Sequence, residues 1–505
     1  MTRCALLFLL VVCRALPALA AEDATTRETP PNIVFILADD LGYGELGCYG
    51  QEKIRTPNID RLAGQGVRFL QHYSGSPVCA PARCSLLTGQ HGGHAEIRAN
   101  RDSGNGRIFP AQWPISSEVT TIAQVLKRRG YATGAFGKWG LGPMRSTGAP
   151  NDKGFDRFYG YLCQRNAHSY FPRFLDSDDH EVEVNRFAIP GHFRQPTGEV
   201  AAADYRGENY APDLILEQAL KFLDDHKSGP FFLYLPFVEP HLAMQPPEEW
   251  VERYPKEWDA ERGPYRGENG YLPHPRPRAA YAAIISDLDQ HVGQVLAALD
   301  QHGLAENTVV VFTSDNGSTF GVGGVGGVDV AFFDSTGGLK GAKASVYEGG
   351  LRVPCIVRWP GVTKPGQTTD AASYFPDWFP TLAGIADATA QPTQPLDGQD
   401  LRPVLRGEAL TRPGPMVWEF GGYGGMVAVR DGDWKALRRD LKRKNKLDWE
   451  LYNLADDPNE SRDLAADHPE RVRGLERAYL ANRTIEPDFP LPIYDRQTGS
   501  ALTSR

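Results

Sequence analysis

The fold of this chain is decided by the stretch N-I-V-F-I-L-A-D-D at residues 32–40. Its apolar run, from Asn32 to Ala38, lacks polar alternation, which is typical of a strand buried on both faces in a parallel sheet. The run T-V-V-V-F-T-S, from Thr308 to Ser314, repeats this pattern. Because such strands alternate with helix-like segments, the sequence predicts an α/β fold whose mostly parallel sheet is covered by helices on both faces.

Both strands end in adjacent side chains that carry oxygen atoms. Asp39 and Asp40 follow the first strand, and Asp315 and Asn316 follow the second. Adjacent carboxylates at the end of a buried strand repel each other and are costly to desolvate unless a cation lies between them. Three carboxylates and an amide suit Ca²⁺ or Mg²⁺. The pattern predicts a divalent cation site, with ordinary turn or helix-capping groups as the alternative.

The segment C-A-P-A-R-C-S-L-L-T-G, from Cys79 to Gly89, allows two interpretations. In the structural one, Pro81 sets a turn and a helix begins after it. In the other, the order Cys, any residue, Pro, Ala, Arg, with Thr-Gly five residues later, resembles the sulfatase signature. The resemblance implies that a formylglycine-generating maturation enzyme oxidises Cys79 to formylglycine, an aldehyde whose hydrate is the nucleophile. It also implies that Arg83 stabilises the hydrate as it ionises.

The resemblance extends from about Asn32 to about Leu464. It implies an alkaline-phosphatase-like α/β fold with a small α+β C-terminal part. A shift of composition toward proline, glycine and charge places the boundary of the two parts near residue 410. We therefore expect a catalytic domain at residues 31–410 and a small subdomain at residues 411–505. In this family a divalent cation, usually Ca²⁺ with Mg²⁺ as the alternative, binds at the positions of Asp39, Asp40, Cys79, Asp315 and Asn316.

Four further residues match positions that act on the sulfate group in the family. Lys138, in G-K-W, and Lys343, in G-A-K-A-S-V-Y-E-G-G-L-R-V-P, match the two sulfate-contacting lysines, whereas Lys340 is out of register. His241, in E-P-H after a buried strand, matches the general acid that protonates the leaving alcohol. At Gly140 the chain departs from many relatives, which carry a histidine there that contacts the formylglycine hydroxyl.

Two loop histidines are further candidates for substrate contact. His94 follows Cys79 closely in sequence, and His168 lies in the segment C-Q-R-N-A-H-S-Y. The region from Met144 to Arg278 has few helix and strand signals, and long loops of this kind usually build the substrate pocket of an enzyme. The alternative for each histidine is a loop residue that only forms structural hydrogen bonds.

Composition narrows the class of protein and of partner. The chain has 505 residues, 41% apolar and 10% aromatic, which fits a globular protein with a large core. Its net charge is -9 and no basic stripe is present, which argues against nucleic acid as a partner. An anionic substrate remains compatible, since a sulfate ester needs only a few local cations.

The N-terminus resembles an export signal. An apolar run at residues 5–12 is followed by Ala-Leu-Ala at 18–20, so we expect residues 1–20 to be a signal peptide and the protein to be periplasmic or secreted. A membrane anchor is the alternative, but the run is too short to span a bilayer. A lipoprotein site at Cys13 is disfavoured by the adjoining Arg14.

The remaining cysteines permit disulfides without requiring them: Cys48, Cys84, Cys163 and Cys355.

Together these features predict hydrolysis of sulfate esters by a formylglycine nucleophile and a divalent metal. A sulfated small molecule or glycan is the expected partner, and a carbohydrate is favoured because aromatic loop residues stack on sugar rings. One alternative is a formylglycine-dependent phosphonate or phosphodiester hydrolase. Another is a protein that binds sulfated glycans without turnover, for which Gly140 is the only hint.

Overall fold

The computed structural model describes residues 30–101, 112–187, 198–267, 271–319, 327–388, 391–443 and 448–496. The expected signal peptide, residues 1–20, lies outside these ranges. Within them, no helix has both the length and the apolar character needed to cross a membrane.

The strands and helices of the described residues follow one another along the whole chain. The strands are β1 (Asn32–Ala38), β2 (Val67–Phe69), β3 (His72–Tyr73), β4 (Ala132–Lys138), β5 (Arg157–Tyr161), β6 (Phe174–Ser177), β7 (His180–Glu183), β8 (Phe231–Pro236), β9 (Thr308–Ser314), β10 (Cys355–Arg358), β11 (Gln367–Thr369), β12 (Ser373–Tyr374), β13 (Met416–Phe420), β14 (Met426–Asp431), β15 (Trp434–Arg438) and β16 (Glu450–Asn453). The α-helices are α1 (Pro57–Gln65), α2 (Cys79–Thr88), α3 (Ile122–Arg128), α4 (Ala211–Asp225), α5 (Glu248–Val251), α6 (Glu257–Ala260), α7 (Pro277–Gln301), α8 (Val330–Phe333), α9 (Glu348–Leu351), α10 (Trp378–Ile385), α11 (Arg402–Leu405) and α12 (Pro469–Ala481).

The large sheet has the strand order β11-β2-β10-β9-β1-β8-β4-β5-β6-β7. Its central strands β9, β1, β8, β4 and β5 are all parallel to their neighbours within this group. Antiparallel pairs occur farther out, between β10 and β9 and from β5 through β7. The predicted α/β fold with a mostly parallel sheet is therefore confirmed.

Helices cover both faces of this sheet. Along β1, the side chains of Ile33, Phe35 and Leu37 join one core, which includes residues of α2, α3 and α10. The side chains of Val34 and Ile36 point the other way and join a second core with α1, α4 and α7. Because both faces of β1 are buried, its sequence is continuously apolar instead of alternating.

One edge of the sheet gathers the residues predicted to carry the chemistry. β1 ends just before Asp39, β9 ends just before Asp315, β4 ends at Lys138, and β8 is followed closely by His241. Since β9, β1, β8 and β4 are adjacent and parallel, their carboxyl ends lie at the same edge. The fold thus brings together residues that are far apart in sequence.

A smaller antiparallel sheet, β13-β14-β15-β16, lies in the C-terminal part of the chain. Helix α12 packs against it through Leu475 and Tyr479, which share a core with apolar residues of the strands. The expected boundary at residue 410 falls between α11 and β13. The division into domains there stays a prediction.

The cysteines of the described residues form no disulfide. Cys84 and Cys355 are buried in the core beside α2, where a thiol behaves as a small apolar side chain. The disulfides that the sequence permits are therefore not used in the described ranges.

Candidate active site

Cys79 is the first residue of α2, and its side chain is only 1% exposed. Pro81 lies in the first turn of the helix, where its missing N–H costs no hydrogen bond. All 10 residues of α2 are buried. The N-terminus of a helix favours negative charge, so an anion formed at residue 79 would be stabilised there.

Four charged groups surround the sulfur of Cys79. Its Sγ lies 3.5 Å from Oδ1 of Asp39 and 3.9 Å from Oδ1 of Asp40. It also lies 3.5 Å from Nζ of Lys138 and 3.5 Å from Nζ of Lys343. The structure thus brings together the predicted nucleophile, two predicted metal ligands and both predicted sulfate-contacting lysines. Burial and the charge of Asp39 raise the pKa of the Cys79 thiol, so an unmodified thiol here stays protonated.

Each of the two lysines is bound to one carboxylate. Lys138 Nζ donates to Asp39 Oδ2 at 2.6 Å, and Lys343 Nζ donates to Asp40 Oδ2 at 2.6 Å. Burial alone would favour neutral amines, but the adjacent carboxylates outweigh it and raise the pKa of both lysines. Both ammonium groups therefore stay charged beside Cys79.

Arg83 lies one helical turn after Cys79 and is fully buried. Its Nε and one terminal nitrogen donate to Asp315 Oδ2 at 3.1 and 2.8 Å, and the same terminal nitrogen is 3.3 Å from Asp39 Oδ2. Its other terminal nitrogen donates to the backbone oxygen of Lys138. Arg83 therefore ties the ends of β1, β4 and β9 to helix α2.

The three carboxyl groups of this site have different proton affinities. Burial raises the pKa of Asp40, and burial together with the charge of Asp39 raises the pKa of Asp315 to about 6. For Asp39, burial is outweighed by Lys138 and Arg83, so that the pKa is lowered. Of the three, Asp39 is therefore the carboxylate whose ionised form is most strongly stabilised by the cations of the protein.

The oxygen atoms of the site fit a hard divalent cation. The Oδ2 atoms of Asp39 and Asp40 bind the lysines, while their Oδ1 atoms lie on the side of Cys79. Asn316 Oδ1 is buried and accepts no hydrogen bond from the residues that the structure describes. One ligand atom each from Asp39, Asp40, Cys79 and His241 lies within 4.8 Å of the others. The carboxylate oxygens of Asp39 and Asp40 and the unsatisfied Oδ1 of Asn316 match the ligands that Ca²⁺ and Mg²⁺ prefer.

Asp40 has an unusual backbone conformation, with φ of 67°. This left-handed region is uncommon for residues other than glycine. Two hydrogen bonds hold the residue there, from its own N–H to Asp315 Oδ1 at 3.1 Å and from Asn316 Nδ2 to Asp40 Oδ1 at 2.8 Å. The strained backbone turns the Asp40 carboxylate toward Cys79 and Lys343.

His241 lies at the rim of the same group. Its Nε2 is 3.7 Å from Asp40 Oδ2, and its Nδ1 is buried with no hydrogen-bond partner among the described residues. Burial and the charges of Lys138 and Lys343 lower the pKa of His241 well below its usual value. The imidazole is therefore neutral in this structure.

The rings of His168 and Tyr271 follow one another next to His241. The ring centre of His168 lies 4.9 Å from that of His241 and 5.2 Å from that of Tyr271. The His168 and Tyr271 rings are stacked, at an angle of 15°. His168 was a sequence candidate, whereas Tyr271 belongs to no recognisable motif and was missed.

His94 is placed away from this group. Its partner Asp397 donates its N–H to the Gly89 carbonyl at the C-terminal end of α2, and a helix of this length spans about 15 Å from Cys79 to that end. The Nδ1 of His94 is 2.8 Å from Asp397 Oδ1, and its ring stacks on that of His91 at 4.5 Å. The structure does not join His94 to the residues around Cys79, and its contact with substrate stays a prediction.

The position of Gly140 is occupied in part by another side chain. Gly140 has φ of 90°, and a Cβ added there would lie 2.3 Å from Nε2 of Gln164. Gln164 is buried, and its Nε2 donates to no partner among the described residues. A larger residue at 140 would therefore need both a strained backbone and a displacement of the Gln164 amide, and the positive φ favours glycine.

The two lysines of the Lys343 motif point in different directions. Lys340 Nζ donates to the Tyr452 hydroxyl at 3.1 Å and to the backbone oxygen of Glu460 at 3.0 Å. These partners belong to the C-terminal part of the chain. The register assigned from the sequence is therefore consistent with the structure, in which Lys343 and not Lys340 contacts Cys79.

Comparison with known proteins gives two matches to family models. The model described as "Sulfatase" matches residues 31–388, and the model described as "N-sulphoglucosamine sulphohydrolase, C-terminal" matches residues 342–474. Arylsulfatase A of Homo sapiens is 34% identical over 440 residues, covering 83% of this chain and 76% of its own. N-acetylgalactosamine-6-O-sulfatase of Bacteroides thetaiotaomicron is 30% identical over 517 residues, covering 90% of this chain and 93% of its own.

Solved structures share the fold. The crystal structure of Ps i-CgsB in complex with k-i-k-neocarrahexaose is 26% identical, has a TM-score of 0.72, and covers 94% of this chain and 96% of its own. A structure of a protein in complex with its substrate D-glucosamine-2-N,6-O-disulfate is 21% identical, with a TM-score of 0.62, covering 89% of this chain and 96% of its own. The architecture of these structures agrees with the alkaline-phosphatase-like fold expected from the sequence.

Proposed function

The chain belongs to the sulfatase family of sulfuric ester hydrolases, and we propose that its substrate is a sulfated carbohydrate whose sulfate ester is attacked by the side chain of residue 79. The observation that carries this proposal is that Lys138 and Lys343 both lie 3.5 Å from Cys79 Sγ at the buried N-terminus of α2, with Arg83 one turn farther along the helix. Three cations at a helix N-terminus suit a bound sulfate group. The rings of His168 and Tyr271 lie next to His241, and aromatic rings of this kind can pack against a sugar.

We further propose that Cys79 is converted to formylglycine. A thiol here could attack a sulfate ester only to leave a stable adduct, whereas the hydrated aldehyde carries a second hydroxyl that can expel the sulfate by reforming the carbonyl. Export after removal of residues 1–20 would take the enzyme to glycans outside the cytoplasm and is part of the same proposal.

Asp39, Asp40, Asp315, Asn316 and residue 79 would hold a divalent cation, Ca²⁺ or Mg²⁺. When bound, the cation supplies positive charge that favours ionisation of the nucleophilic hydroxyl and offsets the charge of the sulfate oxygens. The charges of the protein groups themselves balance, since three carboxylates pair with Lys138, Lys343 and Arg83. A net positive site for an anionic ester therefore requires the cation.

The side chains of this chain then have distinct tasks. Lys138 and Lys343 bind and orient the sulfate oxygens, and Arg83, held by Asp315 and Asp39, adds positive charge that stabilises the hydroxyl of residue 79 as it ionises. His241 donates a proton to the departing alcohol oxygen. Its ring is neutral in the free enzyme, and the negative charge of a bound sulfate group beside it favours the protonated form.

Measuring sulfate release from a panel of defined sulfated sugars tests the proposed substrate class. Aryl sulfates and aryl phosphonates serve as comparison substrates. We expect at least one sulfated sugar to be hydrolysed with a higher kcat/KM than the aryl sulfate. Release from simple aryl esters alone would contradict the carbohydrate proposal, and preference for the phosphonate would favour the alternative hydrolase.

Replacing the two lysines of the Lys343 motif should give unequal effects. Lys343→Ala is expected to lower kcat/KM at least about tenfold, roughly 1.4 kcal/mol of transition-state stabilisation, because it removes a cation beside the reacting group. Lys340→Ala is expected to lower it by less than about threefold, since Lys340 contacts Tyr452 and Glu460 and acts on Lys343 only through the backbone that joins them. Steady-state kinetics of both variants check this. Equal losses would show that the register is wrong.

The effect of His241→Ala should depend on the leaving group. For a sulfated sugar, whose alcohol is a poor leaving group, we expect kcat to fall about 100-fold or more, because general acids typically contribute that much. For an activated aryl sulfate, whose phenolate leaves without a proton, the loss should be several times smaller. The ratio of kcat values for the two substrates is the measurement. Equal losses would indicate that His241 does not protonate the leaving oxygen.

A further inference from the structure

A short loop brings Lys343 to Cys79, and we call residues 340–349 the Lys343 loop. A hydrogen bond from the Gly349 N–H to the Lys340 carbonyl, 2.8 Å long, closes it. Near its tip, the Lys343 N–H donates to the carbonyl of Ser318 at 2.8 Å, and Lys343 Nζ reaches the site. The next residue, Ala344, donates its N–H to the Pro77 carbonyl at 2.9 Å, so the tip is anchored directly and the base by the contacts described next.

The C-terminal part of the chain contacts both ends of the Lys343 loop. Lys340 donates to the Tyr452 hydroxyl at 3.1 Å and to the Glu460 carbonyl at 3.0 Å. The Tyr347 hydroxyl donates to Glu450 Oε2 at 2.5 Å. Glu450 and Tyr452 both belong to β16. Strand β16 and the residues after it thus contact the loop at both ends.

A buried ion cluster holds Glu348, near the end of the loop. The Glu348 N–H donates to Glu460 Oε2 at 2.7 Å, and Lys435 Nζ lies 2.8 Å from Glu348 Oε1 and 2.9 Å from Glu460 Oε1. The Tyr73 hydroxyl donates to Glu348 Oε2 at 2.7 Å. The side chains of Lys435, Glu348 and Glu460 have 0% exposure. Because each buried charge needs the others, this cluster allows little displacement of the loop.

We propose that Glu460, Lys435 and Glu450 are positioning residues for Lys343, so that the C-terminal sheet sets the sulfate-binding geometry without touching the substrate. A lysine has four rotatable side-chain bonds, and its ammonium group stays in place only if its backbone is fixed. The loop meets the sheet at Lys340, Tyr347 and Glu348, on both sides of Lys343. This inference rests on the proposed contact of Lys343 with the sulfate group.

A double-mutant cycle between Glu460→Gln and Lys343→Ala tests the proposal. Glu460→Gln removes one charge but leaves Lys435 paired with Glu348, so we expect a folded protein. Alone, it should lower kcat/KM about tenfold. In the Lys343→Ala background it should lower kcat/KM less than about twofold, because the residue being positioned is already absent. Multiplied losses in the double mutant would overturn the proposal.

A second readout separates positioning from general destabilisation. Inorganic sulfate, the product, should inhibit the wild type through Lys343, and Glu460→Gln should raise its inhibition constant about as much as Lys343→Ala does. The matched control is Glu419→Gln, in β13 of the same sheet. Glu419 is also buried and binds Arg98 at 2.7 Å and Arg483 at 2.8 Å. Glu419→Gln should lower the melting temperature without changing the inhibition constant of sulfate. Equal changes of this constant in Glu419→Gln and Glu460→Gln would overturn the proposal.

Tyr347→Phe provides a milder variant if Glu460→Gln does not fold. It deletes only the hydroxyl that donates to Glu450, and we expect about a threefold lower kcat/KM that disappears in the Lys343→Ala background. Wild-type kinetics for Tyr347→Phe and Glu460→Gln would overturn the positioning role. Wild-type activity of Lys343→Ala itself would instead overturn the sulfate contact of Lys343, and the positioning role with it.

Discussion

Active enzyme is expected to carry formylglycine and no thiol at residue 79, and Cys79→Ala is expected to lose all measurable turnover. A thiolate that attacked a sulfate ester would leave a stable adduct, whereas a hydrated aldehyde keeps a second hydroxyl that can release the sulfate. Converting -CH₂SH to -CHO lowers the mass of the tryptic peptide by about 18 Da. Mass spectrometry of active protein checks this directly.

Cys84→Ala is the matched control for that substitution. Cys84 lies five positions later in the same buried helix and is also a free thiol. Its variant should keep near-wild-type turnover and the same modified peptide mass at residue 79. Cys79→Ser should be inactive wherever the maturation enzyme of the host accepts only cysteine. An unmodified thiol at residue 79 in every molecule of an active preparation would overturn the mechanism.

The second large effect concerns the oxygen ligands. Asp39→Ala or Asp315→Ala is expected to abolish turnover, because each loses a carboxylate that faces Cys79 or holds Arg83. Ca²⁺ should raise the melting temperature of the wild type, since a ligand at 100 times its Kd stabilises a protein by about 2.7 kcal/mol. The variants should lack this shift. Differential scanning calorimetry with and without Ca²⁺ measures it independently of activity.

Asp289→Ala serves as the control for losing a buried carboxylate. Asp289 accepts hydrogen bonds from the N–H groups of Asn58 and Ile59, at 2.9 and 2.8 Å, at the start of α1. Its variant is expected to be less stable but to keep its activity and its response to Ca²⁺. Full activity of metal-depleted wild-type protein would contradict the metal site.

The centre of the fold could be predicted from the sequence because its strands are buried on both faces. The apolar runs at Asn32–Ala38 and Thr308–Ser314 coincide with β1 and β9. The region read as long loops after Met144 nevertheless contains β5, β6 and β7. These strands are short and lie toward one edge of the sheet. Strand β7 is exposed along most of its length, so it carries no apolar run that would mark it.

The candidate site could be predicted only where it is attached to strand ends or motifs. Asp39, Asp315 and Lys138 meet because parallel strands end at one edge, which is a rule of the fold. The positions of Tyr271, Gln164 and the partners of the Lys343 loop depend on contacts between segments that are far apart in sequence. No local pattern encodes such contacts. The sequence flagged Gly140 as a departure, and only the structure shows the side chain that fills its space.

The burial of α2 restricts when a maturation enzyme could act on Cys79. Residue 79 is 1% exposed, and every residue of the helix, Pro81 and Arg83 included, is buried. The conversion proposed for Cys79 would therefore need the chain before α2 folds, because the buried helix leaves the thiol out of reach of another protein. A molecule that folded first would then keep its thiol and stay inactive. The active fraction of a preparation would depend on the relative rates of folding and oxidation during biosynthesis.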